Sequence, residues 1–182
     1  MLAFAHGSWP VSVYVLFGAL AATVVVTGTG AIATLRDRTG GPPPEGRPFH
    51  KYSPETVGMY LQEAGAEGAA LYRRALLQDV AFLLLYGAGF VFLIDGTLGR
   101  LFADPNNPWR FILDAVGVAA AIVDAGEDAL LALAVGKSGL TRPALIPAAN
   151  ALTFCKWLLV LASVVGVATG AVLLGLRGSG WI

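Results

Sequence analysis

The chain has 182 residues, 56% of them hydrophobic and only 13% charged, and its formal net charge is zero. A soluble domain is nearer about a quarter charged, so this composition and a mean hydropathy of +0.69 belong to the membrane class. The neutral balance excludes nucleic acid as a partner. One cysteine, Cys155, cannot form an internal disulfide, and there is no C-x-x-C for thiol redox work. Standing in an apolar run, it is expected to be a small buried hydrophobe.

The first ten residues, M-L-A-F-A-H-G-S-W-P, contain no Lys or Arg, so no positive n-region of a cleavable signal is present. The apolar run that follows, from about residue 11 to about residue 35, is long enough to span a bilayer. Trp9 and Tyr14 stand near one interface, and Gly28 and Gly30 near the far end allow close helix contact. Arg36 to Lys51 is rich in Pro, Gly and charge and reads as a linker without helix. Ser53-Pro54-Glu55 then reads as a helix start, with Ser as N-cap and Pro in the first turn. Val57, Tyr60, Leu61 and Ala64 share one face of this short helix, which is expected to lie on the membrane surface, apolar side down. Gly65 is the expected stop.

A second span is expected from about residue 69 to about residue 101. Tyr72, Arg73 and Arg74 open it. Tyr72, Asp79, Phe82 and Tyr86 fall on one face by steps of three and four. Asp95 and Arg100 stand near its other end, and D-P-N-N-P-W makes a turn, with Asn107-Pro108 capping the next helix. The third span runs from about residue 109 to about residue 135. Asp114 is near its start, and V-D-A-G-E-D puts Asp124, Glu127 and Asp128 on one face near its middle. The fourth runs from about residue 143 to about residue 176. Pro147 falls in its first turns, Asn150, Thr153, Lys156 and Trp157 form a polar stripe, and Gly166 and Gly170 make a small-x-x-x-small pattern. That pattern could pack helices within one bundle or join two copies as a homo-oligomer.

The expectation is therefore an all-α integral membrane protein, residues 1–182 forming a single membrane domain. Four transmembrane helices make an antiparallel bundle, with a linker and interfacial amphipathic helix at about residues 36–66. Eight of the twelve Lys and Arg stand on the side of the first and third loops, which places those loops in the cytoplasm and both termini outside an inner or plasma membrane. With these directions Asp79, Asp124, Glu127, Asp128 and Lys156 fall within one slab on the cytoplasmic side. Intramembrane acids are costly and mark sites, and three carboxylates are a poor choice for structural glue.

The expected function is a membrane-embedded enzyme acting on a lipid or isoprenoid-like substrate. Asp124, Glu127, Asp128 and Asp79 would supply acid–base chemistry or stabilise a cationic intermediate, with Lys156 tuning them. Arg73 and Arg74 would meet a head group. Tyr72, Phe82, Tyr86, Asn150, Phe154 and Trp157 would line the cavity. Two alternatives stand beside it: a proton- or cation-coupled carrier or lipid-binding protein, and a structural subunit whose polar face docks a partner helix. With His6 and His50 both outside the spans, haem held by paired helix histidines is excluded. A divalent cation among the acids has only their clustering in its favour, since their spacing matches no metal motif. V-D-A-G-E-D fits no acidic motif of prenyltransferases or CDP-alcohol transferases. The layout is loosely similar to that of small membrane sterol isomerases, a likeness of topology alone.

Overall fold

The structure, a computed structural model, describes residues 30–101 and 108–179. The expected first span up to residue 29 and the D-P-N-N-P-W turn as far as Asn107 lie outside the described residues. So do the side chains of Asp95, Arg100, Arg110 and Asp114. The chain is mostly helical. In order come α1 (Gly30–Thr39), a 3-10 turn at Pro44–Gly46, α2 (Pro54–Glu63), α3 (Gly68–Leu101) and α4 (Pro108–Ala134). A minimal antiparallel hairpin, β1 (Val135–Gly136) and β2 (Gly139–Leu140), leads through a second 3-10 turn at Pro143–Leu145 into α5 (Ile146–Gly178).

The punctuation follows local chemistry. Ser53 caps α2 by accepting from the Thr56 amide at 3.3 Å, and Pro54 occupies the first turn, where its missing N–H costs nothing. Gly65 breaks the chain out of α2 at φ +84°, a conformation that penalises a side chain. Three residues on, a Cβ at Gly68 would sit 2.3 Å from the Leu61 carbonyl oxygen, so only glycine lets α3 begin against the end of α2. Two expectations are corrected here. Helix α1 continues through Arg36-Asp37-Arg38-Thr39, into the stretch read as linker, because glycine and proline begin only at Gly40. The hairpin after Ala134 was not foreseen, since two residues per strand leave no alternation to read.

Helix α4 packs antiparallel against both α3 and α5, and α3 also touches α5. α1 lies along the start of α3. α2 sits across the loop end, against the hairpin, α1 and α3. Its apolar face meets protein rather than a membrane surface: Val57, Tyr60, Leu61 and Ala64 are all buried. They join Leu35, Tyr72, Leu76, Leu131, Val135 and Ile146 in one cluster, so the apolar core sits at the end closed by α2. Away from that end the helices carry large apolar side chains outward, among them Leu85, Phe92, Ile122, Leu161 and Val172. Two helical segments, Gly68–Ile94 and Pro143–Gly178, are long and apolar enough to cross a membrane. α4 has the length, about 40 Å at 1.5 Å per residue, but carries Asp124, Glu127 and Asp128.

Candidate functional site

One layer inward from the core cluster, the three long helices bring their polar side chains together. Lys156 of α5 is the centre. Its Nζ donates to Asp124 Oδ1 at 2.7 Å and stands 2.7 Å from Glu127 Oε2. The second contact is close but off the hydrogen-bonding direction, so Glu127 Oε2 is held by charge alone. Steps of three residues on α4 aim both acids at one ammonium. Asp124 Oδ2 accepts from the Tyr86 hydroxyl at 2.8 Å. Glu127 Oε1 accepts from the Thr153 hydroxyl, one turn before Lys156 on α5. Glu127 is fully buried, and Asp124, Asp128 and Lys156 are nearly so. Buried charges survive only when paired and hydrogen-bonded, and here Asp124, Glu127 and Lys156 satisfy that rule.

Asp128 does not. It is only 5% exposed, and neither carboxylate oxygen has a hydrogen-bond partner among the described residues. It lies on the α3 side of the cluster, where single carboxylate oxygens of Asp79, Asp124 and Asp128 stand within 4.8 Å of one another. Asp128 also lines a groove of about 240 Å³ between α3 and α4, together with Arg73, Leu76, Leu77, Val80, Ala125, Ala129 and Ala132. A second groove of about 350 Å³ continues along the same seam past Leu83, Gly87, Val118 and Ala121, sharing Val80 and Ala125 with the first. Together they form an apolar furrow with Arg73 at one end and Asp128 in its wall. Arg73 gives one N–H to the Val135 carbonyl at 3.3 Å, and a guanidinium has five to give.

Two members of the site come from the chain before α2, where no periodic pattern exists to read. The Tyr52 hydroxyl lies 2.9 Å from Thr153 Oγ1 and 3.3 Å from Glu127 Oε1. Its backbone N–H donates to Asn150 Oδ1 at 3.1 Å, which fixes the loop onto α5. Burial, then the Glu127 charge, push the Tyr52 phenol well above its ordinary range, so it is a neutral donor. Glu45, in the 3-10 turn, is buried and accepts from the Tyr72 hydroxyl at 2.7 Å. Burial pushes its pKa up to about 7, against the opposing pull of its backbone and Tyr72 hydrogen bonds. Tyr52 had one sequence signal: it directly precedes the N-cap Ser53, a position whose side chain commonly staples inward. For Glu45, standing among P-P-P-E-G, there was none.

Of the residues singled out from sequence, Asp79, Asp124, Glu127, Asp128, Lys156 and Tyr86 do converge. Phe82 stacks on Tyr86 with ring centroids 5.1 Å apart, and Asn150 holds the loop. Trp157 flanks Lys156, its ring centroid 5.9 Å from Nζ, and its buried Nε1 has no hydrogen-bond partner among the described residues. Tyr72 is instead fully buried in the core cluster and bonded to Glu45, and it lines neither groove of the furrow. Arg74 faces another groove, shared with Thr34 and Gln78 between α1 and α3. Phe154 points outward and meets Phe49 edge-on, with centroids 5.8 Å apart. Cys155 is exposed rather than buried, because the polar stripe beside it claims the inward face of α5.

These observations define a class: a helical protein with two segments suited to crossing a membrane and a polar centre buried between its long helices. No protein-family model, no curated protein and no solved structure matches the chain.

Proposed function

We propose that the chain is a four-span membrane protein that acts as an enzyme on a lipid or isoprenoid-like substrate held in the α3–α4 furrow. The first span would end in α1, and α3, α4 and α5 would be the other three. The objection to α4 is its charge, and Lys156, held between Asp124 and Glu127, offsets one of its three negative charges inside the bundle. The α2 end would face the cytoplasm, and both termini the other side, by the bias of Lys and Arg. The furrow runs from Arg73 to Gly87 along α3, about 21 Å at 1.5 Å per residue, a length suited to a hydrocarbon chain. Arg73 would take an anionic head group. Asp128, with Asp79 beside it, would be the acid–base end of the site.

The observation that carries this reading is Asp128: a buried, unpartnered carboxylate in the wall of an apolar furrow with a guanidinium at its mouth. The alternatives fare less well on the same geometry. A carrier needs a polar route onward toward Asp114. Past Tyr86 the seam is lined by Leu83, Gly87, Val118 and Ala121, and Ser163 on α5 bonds back to its own helix. A docking subunit would turn Glu127 and Asp128 outward, and both are buried. The test is a lipidomic comparison of membranes with and without the protein, repeated with Asp128→Asn. The expected result is a change in one lipid class that the variant fails to produce. A lipid profile indifferent to the protein would overturn the reading.

A further inference from the structure

The cluster holds four carboxylates, Asp79, Asp124, Glu127 and Asp128, against one ammonium, Lys156. Lys156 is committed to Asp124 and Glu127, which lie on the α5 side. On the α3 side Lys156 reaches Asp79 and Asp128 only through space, and Arg73 lines the same groove as Asp128, but among the described residues no cation forms an ion pair with either aspartate. Asp128 is the decisive group. It is only 5% exposed, both its oxygens are unpartnered among the described residues, and one of them lies within 4.8 Å of an oxygen from each of the other two aspartates. A carboxylate so placed either takes up a proton or keeps its charge beside an opposite charge that completes it.

We propose that Asp79, Asp124 and Asp128 form a binding site for a hard divalent cation. The ligand chemistry selects the class: three carboxylates and no sulfur or imidazole in the triangle suit oxygen-seeking ions and disfavour zinc or copper. Three carboxylate oxygens gathered within 4.8 Å of one another are close enough to share one ion. Asp124 keeps its bonds to Lys156 and Tyr86, since each carboxylate oxygen has a second lone pair to offer. The protein supplies only one wall of the coordination shell. The rest opens on the furrow through Asp128, where water or the head group of a bound molecule completes it. What completes the shell rests on the lipid reading, and cation binding itself does not. A cation held by Asp79, Asp124 and Asp128 would supply Lewis acidity beside that acid–base end of the furrow.

The experiment uses the full chain in nanodiscs of phosphatidylcholine, stripped with chelator and titrated with Ca²⁺ by calorimetry and with Mn²⁺ by electron paramagnetic resonance. One saturable site is expected, with Ca²⁺ displacing Mn²⁺ and raising the melting temperature. Asp79→Asn and Asp128→Asn should each weaken binding at least about tenfold, whereas Asp128→Glu retains it and Glu63→Gln, on the exposed side of α2, leaves it unchanged. Absence of saturable binding and of thermal stabilisation in the wild type overturns the proposal, as does wild-type affinity in both Asn variants. Cation binding without any lipid change would sink only the lipid reading. A lipid change without cation binding would sink only the cation site.

Discussion

The two ends of the long helices are built on different rules. Toward α2, side chains bury one another: an apolar cluster roofed by α2 and the hairpin covers a layer of ion pairs and hydrogen bonds. Toward the other end the same helices show large apolar groups outward and bury little between them, so only 11% of the most apolar stretch of the last span is enclosed. α5 shows the change within one element. Ala149, Thr153 and Lys156 are enclosed, whereas Leu161, Val164, Val165 and Val172 are exposed. Partnering is concentrated where polar groups meet, and beyond that layer the long helices turn large apolar side chains outward.

Three substitutions break or sharpen that contrast, in descending order of effect. Lys156→Met removes the ammonium that Asp124 and Glu127 share, leaving two buried charges uncompensated. The expected loss is about 3–5 kcal/mol, read as a fall in the denaturant or thermal midpoint in detergent. A loss below about 1 kcal/mol would mean that the layer is wet and adds little specificity.

Glu45→Gln tests the roof of the same region. The Glu45 carboxyl titrates about 7 in the fold against an ordinary value of 4.5, raised first by burial. The folded chain therefore binds a proton more tightly than the unfolded one. Stability falls as pH rises from about 4.5 to about 7 and stays lower above that, by about 3 kcal/mol. The groups that face Glu45 are Tyr72, Tyr52, Tyr60, Glu127, Asp128 and Lys156, and none is removed by the change. Glutamine still accepts from Tyr72, so the variant should lose this slope and be the more stable protein at pH 8. Parallel stability curves for the two proteins across that window would contradict the assignment.

Val172→Ala, on the exposed part of α5, should change stability by less than about 0.5 kcal/mol, because the methyl groups it loses touch little protein. A larger loss in the same assay would reveal an unseen contact on that face.

Much of the polar layer was legible in the sequence because helical spacing is a strong constraint. V-D-A-G-E-D can only present its acids on one side of a helix, and Lys156 was the sole base at matching depth. Ser53 and Gly65 announced the limits of α2 through capping and turn chemistry. What the sequence withheld came from segments with no period. Glu45 and Tyr52 reach the site across 27 and 75 residues of chain, and no local pattern encodes that return. Cys155 was misplaced for a related reason. An apolar neighbourhood in sequence does not say which face of a helix a residue occupies, and Cys155 stands on the outward one.

The pairing of Asp124 and Glu127 with a lysine on the following helix bears on how the chain is made. On the proposed bilayer placement, α4 leaves the ribosome with its acids unmatched, because Lys156 has yet to be synthesised. Each lone acid then opposes release into lipid by about 3 kcal/mol. α4 would then wait in the translocon until α5 arrives, and the two would leave together as a hairpin in which Lys156 offsets part of the acidic charge.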